Sequence, residues 1–383
     1  MTTPRTVLLA PDKFKGTLSA AQVVEALRRG ITQTAPQLRV LSCPIADGGD
    51  GTVDAALAAG FTAHTAPVTG PTGAPRTARW ALQEDVAVLE LAETVGLHAL
   101  PGGELAPHTA STRGLGELLR AAVDVGARTL VVGLGGSAST DAGAGLLQGL
   151  GALLRTADGT DIAPGLSGLA TLASADLEPA LAALDGLTLI AANDVTNPLL
   201  GSEGAAAVYG PQKGLAPEEV DAADETLAAA AALLDPAGDH RDRPGAGAAG
   251  GTGFGLLLLG AEQRSGADAV FELVGVDALL GESDVVVTGE GKLDAQTLHG
   301  KGPAEVARRA RDRGLEVAAV AGAITLDAQQ LRAAGVSHAF DLTSRAGSSD
   351  RAFAEGEQLL VEAGRDLGIR LAGPASDTAP GSV

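Results

Sequence analysis

Thr129-Leu130-Val131-Val132 runs straight into Gly133-Leu134-Gly135-Gly136-Ser137-Ala138-Ser139-Thr140-Asp141. Four β-favouring residues thus meet a loop rich in glycine and hydroxyls, and the small residues beyond it read as a helix. A strand that opens through such a loop into a helix is the repeating unit of an open α/β sheet. Backbone N–H groups of the loop and the start of the helix form a natural phosphate cradle, to which Ser137, Ser139 and Thr140 add hydroxyls. The alternative is a tight turn with no ligand. The loop lacks the GxxxxGK[ST] pattern of a P-loop.

The same grammar recurs on both sides. Residues 6–10 form a β-rich run, 11–16 a loop, and 19–29 a helix with Ser19 as its N-cap. Residues 39–44 lead into Ala46-Asp47-Gly48-Gly49-Asp50-Gly51-Thr52, and residues 284–288 into Gly289-Glu290-Gly291-Lys292-Leu293-Asp294. Two later strands, 316–321 and 338–342, alternate with Arg-bearing helices. This succession predicts a doubly wound, parallel, Rossmann-like sheet. The middle reads differently: residues 76–91 form paired strands turning at Glu84-Asp85, and the Gly-, Pro- and Ala-rich stretch 235–255 reads as a loop or domain crossing. The expected plan is a discontinuous Rossmann-like domain of residues 1–70 and 265–373, an inserted α/β domain of residues 71–264, and a disordered tail over 374–383.

Aromatic residues make up only 2% of the chain, so the core must be packed from Ala, Leu and Val, which favours helix-on-sheet layers. The net charge of −20 disfavours nucleic-acid and anionic-membrane partners. No apolar run is long enough to cross a bilayer, and the start does not read as a signal peptide, so the expected location is cytoplasmic. The single cysteine, Cys43, excludes internal disulfides and reads as a buried small residue. Scattered histidines give no HExxH pair, and no GxSxG elbow or GxGxxG opening the first helix is present.

Lysine usage is informative. Only five of the 27 basic residues are Lys (Lys13, Lys15, Lys213, Lys292 and Lys301), and all five lie in loops punctuated by Gly or Pro. In a chain that otherwise prefers Arg, surviving lysines should concentrate where a compact ammonium is needed, as in an anion site. The two asparagines, Asn193 and Asn197, flank Asp194 just after the apolar run 187–192, a pattern that suits either Mg²⁺ or an Asn-capped turn. Acids gather at the same strand ends: Asp12, Asp47, Asp50, Asp141, Asp194, Glu290 and Asp294. Carboxylates beside lysines match the needs of phosphoryl transfer to an alcohol, namely metal binding, charge neutralisation and a proton acceptor.

Ala10-Pro11-Asp12-Lys13-Phe14-Lys15-Gly16-Thr17-Leu18-Ser19-Ala20 resembles the opening motif of the type I glycerate kinase family. In family order follow Pro44-Ile45-Ala46-Asp47-Gly48-Gly49-Asp50-Gly51-Thr52, the Gly133 loop, Asn193-Asp194-Val195-Thr196-Asn197-Pro198-Leu199, Tyr209-Gly210-Pro211-Gln212-Lys213-Gly214, Gly247-Ala248-Ala249-Gly250-Gly251 and Thr288-Gly289-Glu290-Gly291-Lys292-Leu293-Asp294. The family often has Glu at the position of Asp50, Arg at Lys292 and Asp at Thr196. The resemblance implies transfer of the ATP γ-phosphate to D-glycerate, usually to give 2-phosphoglycerate, with Mg²⁺ required.

On that basis the reaction is expected in a cleft between the domains. Lys15 and Arg113 would hold the substrate carboxylate, with Asp47 or Asp294 near the acceptor hydroxyl as base. Gly135, Gly136 and Ser137 would cradle phosphate, helped by Lys213 or Lys301, with Lys13 and Glu290 in the same binding set. Asp194 would ligate Mg²⁺ directly or through water. A kinase of another small hydroxy acid, such as tartronate or an aldonate, stays open, as do a ligand sensor and a nicotinamide-dependent oxidoreductase. A homodimer is allowed, but the sequence fixes no assembly state.

Overall fold

The computed structural model describes residues 4–295, 297 and 302–372. Lys301 and the tail expected over 374–383 lie outside these. Two compact units divide the chain: residues up to Ala46 join those from Phe271 onward, and Asp47 to Val270 form the other. The division therefore comes earlier than the expected residue 70. Residues 62–69 pair antiparallel with 75–82 inside the central unit, which holds that stretch there.

Among the described residues thirteen strands form three sheets. In chain order they are β1 (Thr6–Pro11), β2 (Arg39–Ser42), β3 (Thr62–Thr69), β4 (Pro75–Gln83), β5 (Val86–Glu90), β6 (Thr129–Gly133) and β7 (Leu153–Arg155). Then come β8 (Ser174–Asp176), β9 (Thr188–Ala192), β10 (Glu262–Arg264), β11 (Val285–Leu293), β12 (Glu316–Ile324) and β13 (His338–Asp341). β7 and β8 pair only with each other.

The terminal unit is built on a fully parallel sheet in the order β13-β12-β11-β1-β2. Counted within the unit this is order 2-1-3-4-5, a doubly wound arrangement whose strand order reverses between β1 and β11. Ligands of such sheets bind outside the carboxyl ends of the strands at that reversal. All six residues of β1 are buried, as a parallel strand covered on both faces requires. The helix Ala20–Thr34 begins at Ser19, whose hydroxyl accepts the Gln22 N–H while Gln22 returns a bond to the Ser19 backbone. Its buried face, with Val23, Leu27 and Ile31, joins Leu360 and Leu367 in one core. Gly30 lets this helix meet the helix Gly356–Ala372, since a Cβ there would fall 2.1 Å from the Val361 carbonyl oxygen.

The central unit carries a mixed sheet in the order β10-β9-β6-β5-β4-β3. β5, β6, β9 and β10 are parallel, and β4 and β3 extend the edge antiparallel. The register places Glu90 opposite Gly133, Gly133 opposite Ala192, and Ala192 opposite Arg264. Four strand ends therefore finish in one row. The Leu- and Ala-rich core expected from the composition is present, with Trp80 as its largest fully buried side chain.

Residues 235–255 do not cross between units. They remain in the central unit, and their last part belongs to the helix Ala248–Leu258, entered through left-handed backbone at Ala249, Gly250 and Gly251. No helix among the described residues is long and apolar enough to cross a membrane.

Candidate active site

The row of strand ends in the central unit sets the site. Past Gly133, the end of β6 becomes the glycine-rich loop, with Gly135 half-buried, Gly136 exposed and Ser137 buried. The loop is tied on both sides. Leu134 N–H donates to the Gly48 carbonyl at 3.0 Å, Leu97 N–H to Gly136 at 2.8 Å, and Ala138 N–H to Val95 at 3.0 Å. Among the described residues, none of these backbone bonds takes up the N–H groups of Gly135, Gly136 or Ser137. Three successive donors are thus left at the end of a parallel strand, the arrangement that receives an anion.

The loop holding Asp47 crosses this row by backbone contact. A Cβ on Gly135 would fall 2.5 Å from Gly49 Cα, one on Gly133 2.7 Å from the Gly48 oxygen, and one on Gly266 2.0 Å from the Asp47 oxygen. These glycines are therefore required by close approach of backbone. Asp47 is half-buried, and its Oδ1 accepts the Gly49 N–H at 3.2 Å.

Asp194 follows the end of β9. Its Oδ1 accepts the Gly266 N–H at 3.1 Å. Crowding by protein pushes its carboxyl up, and the nearby Asp47 and Asp268 carboxylates add to the rise against bonds from Ser265 and Gly266. A raised carboxylate among like charges is a site that a cation relieves. Among the described residues no group of three or more His, Cys, Asp or Glu forms a metal cage. Mg²⁺ does not need one, since it takes one or two carboxylates and completes its shell with water and phosphate oxygens. The oxygen donors at Asp194 fit that ion. Asn193 turns its Oδ1 to the Val195 N–H at 3.1 Å, and Asn197 accepts the Tyr209 hydroxyl at 2.7 Å, so both asparagines shape the turn.

Glu90, at the end of β5, was not singled out by the sequence. It is 3% exposed and accepts the backbone N–H groups of Val53 and Gly51, which fixes the start of the helix Thr52–Ala58 behind the Asp47 loop. Burial pushes its carboxyl up to about 7, opposed by those two N–H groups. The available signal was a Glu inside an otherwise apolar run, Val86-Ala87-Val88-Leu89-Glu90-Leu91-Ala92.

Lys213 and Arg113 depart from expectation. Lys213 is 1% exposed, and its Nζ donates to the Ser139 carbonyl from behind the loop, so it is not placed to touch phosphate in solvent. Arg113 opens the helix Arg113–Val125 with an exposed guanidinium bonded to Glu117 at 3.2 Å, so its partner is a carboxylate of its own helix.

In the terminal unit β1 ends beside the middle of β11 at the reversal of strand order, where Pro11 pairs with Gly289, and β11 runs on through Leu293 instead of opening into the expected glycine loop. Asp12 N–H donates to the Gly289 oxygen at 2.8 Å, and Lys13 N–H to Asp12 Oδ1 at 2.6 Å. Gly291 lies against the backbone of Lys15, whose side chain is exposed. Glu290 accepts the Thr297 hydroxyl at 2.7 Å, and Asp294 pairs with the exposed Lys292 at 3.2 Å. The structure thus gathers Lys13, Lys15, Glu290 and Asp294 in this unit, and Asp47, Gly135, Gly136, Ser137 and Asp194 in the other.

The profile of the glycerate kinase family matches residues 7–372. The glycerate kinase of Bacillus subtilis (strain 168) is 39% identical over 94% of this chain and 96% of its own. The glycerate 2-kinase of Escherichia coli (strain K12) is 37% identical over 96% and 98%. A crystal structure provisionally assigned as glycerate kinase 2 of Salmonella typhimurium LT2 matches with a TM-score of 0.83 at 36% identity, covering 96% of this chain and 98% of that one. With motif, strand order and full-length similarity in agreement, the chain belongs to the glycerate kinase family.

Proposed function

We propose that the protein phosphorylates D-glycerate with ATP as donor, the 2-hydroxyl being the favoured acceptor. Supporting this is the run of N–H groups at Gly135, Gly136 and Ser137, in the same row of strand ends as Asp194 and beside the Asp47 loop. A donor run of this kind suits the phosphates of a nucleotide, and it costs no reorganisation because the surrounding loop is already tied down.

Asp194 would hold Mg²⁺ directly or through water, and the ion when bound supplies charge neutralisation on the phosphates. Asp47 is assigned as the acceptor of the hydroxyl proton. It is preferred to Asp294, whose carboxylate is already engaged by the Lys292 ammonium at 3.2 Å. Lys15, exposed and on a backbone fixed against Gly291, is assigned to the substrate carboxylate. A cytoplasmic location is part of this reading, consistent with one buried cysteine and no disulfide framework.

The metal assignment is tested by titrating Mg²⁺ while following ADP release. Asp194→Asn is expected to raise the Mg²⁺ concentration for half-maximal rate by about tenfold or more. An unchanged Mg²⁺ requirement would remove Asp194 from the metal site.

A further inference from the structure

We propose that Lys213 is a positioning residue for the glycine-rich loop: lying behind it, the ammonium fixes the Ser139 carbonyl and thereby the donors offered to phosphate. This rests on the reading of that loop as the phosphate site.

Three segments meet at Lys213. The short helix Pro211–Lys213 brings the stem in, residues 249–251 pass beside the head, and the loop supplies the acceptor. Ala249, Gly250 and Gly251 are successive left-handed residues. Their course brings Gly250 so close that a Cβ would fall 2.0 Å from the Ser139 oxygen and 2.5 Å from Lys213 Nζ. The passage therefore admits a linear ammonium and leaves little room for a guanidinium, which accounts for a lysine in a chain that otherwise prefers arginine.

The other ends of the loop are tied separately. Ser137 Oγ donates to the Ala249 oxygen at 3.1 Å. Asp141, fully buried, accepts the Thr112 N–H at 2.8 Å, the Thr112 hydroxyl at 2.9 Å and the Gly145 N–H at 3.2 Å. Burial pulls the Lys213 ammonium down to about 7, and the Asp141 carboxylate opposes the fall. A buried ammonium is costly, and an apolar side chain of the same length would fill this space at lower cost. What the ammonium adds is a directed bond to Ser139, next to the donors at Gly135, Gly136 and Ser137.

Lys213→Met keeps the stem and removes the donor, and folding is checked by circular dichroism. In the absence of nucleotide, hydrogen exchange at the amides of residues 137–145 is expected to speed up about tenfold. The Kd for ADP with Mg²⁺, measured by calorimetry, should rise about 10–10²-fold, with the KM for glycerate within about threefold of wild type. Lys213→Arg should restore neither exchange protection nor ADP affinity.

Weakened ADP binding with unchanged exchange in the free protein, or rescue by Arg, would mean direct phosphate contact and overturn the proposal. Should Lys213→Met not fold, Gly250→Ala intrudes on the same bond while leaving the charge in place. Wild-type exchange and affinity in that variant would equally overturn it. The loop reading fails separately: wild-type amides 135–141 that gain no protection on saturation with ADP would refute it, whatever the Lys213 variants do.

Discussion

Asp47→Asn is expected to lower the kcat for glycerate phosphorylation by about 10²-fold or more, with the KM for glycerate changed only a few-fold. Asn retains an oxygen for the Gly49 N–H, so the turn across the ends of β6, β9 and β10 is preserved. What is lost is the capacity to take a proton. Removing one carboxylate also relieves Asp194, so Mg²⁺ must be held saturating for the comparison. Turnover near the wild-type rate would dismiss Asp47 as the base and direct attention to Asp294.

The second large effect is on stability and runs with pH. The Glu90 carboxyl titrates near 7 in the folded protein, against an ordinary value of 4.5. Between those values the folded state holds a proton that the unfolded chain has released, so stability from this group is present at low pH and lost as pH rises toward and through 7. The loss amounts to roughly 3 kcal/mol. Glu90→Gln has no carboxyl to ionise and retains an acceptor for Val53 and Gly51. Urea unfolding of both proteins at pH 5 and pH 8 should show wild type losing stability relative to the variant by about that amount. Parallel pH profiles would refute the assignment. Asp50 and Glu93, whose charges also raise Glu90, are retained in the variant.

Much of the fold was legible because its signals are local. The β-rich runs before the glycine motifs became β1, β6 and the first part of β11, Ser19 capped its helix as read, and the Glu84-Asp85 turn separates β4 from β5. The loop read at residues 289–293 is instead strand, held by pairing with β12. Boundaries were less legible. Residues 62–69 belong to the central unit through their pairing with residues 75–82, a relation that composition does not encode. The stretch 235–255 read as a loop or a domain crossing because its glycines resemble a linker; it stays within the central unit, and Gly250, Gly251 and Gly255 serve close packing against residues 139–143.

The site was legible as residue types at strand ends. Asp194 and the Gly135 loop stand in one row because parallel strands finish together, and the Asp47 loop lies across that row by backbone contact. Lys213 was read as a helper to the phosphate cradle, whereas its ammonium is buried on the Ser139 carbonyl, since burial is a property of the three segments that enclose it. Glu90 was passed over because a single carboxylate after an apolar run carries no periodic signal. Only the register that sets it opposite Gly133 reveals its place.

The central claim is phosphate transfer from ATP to glycerate. Incubating the protein with ATP, Mg²⁺ and D-glycerate, and following the mixture by ³¹P NMR, tests it most directly. The expected result is ADP formed in equal amount with a phosphate monoester identified as 2-phosphoglycerate. No ADP above the glycerate-free control would contradict the account.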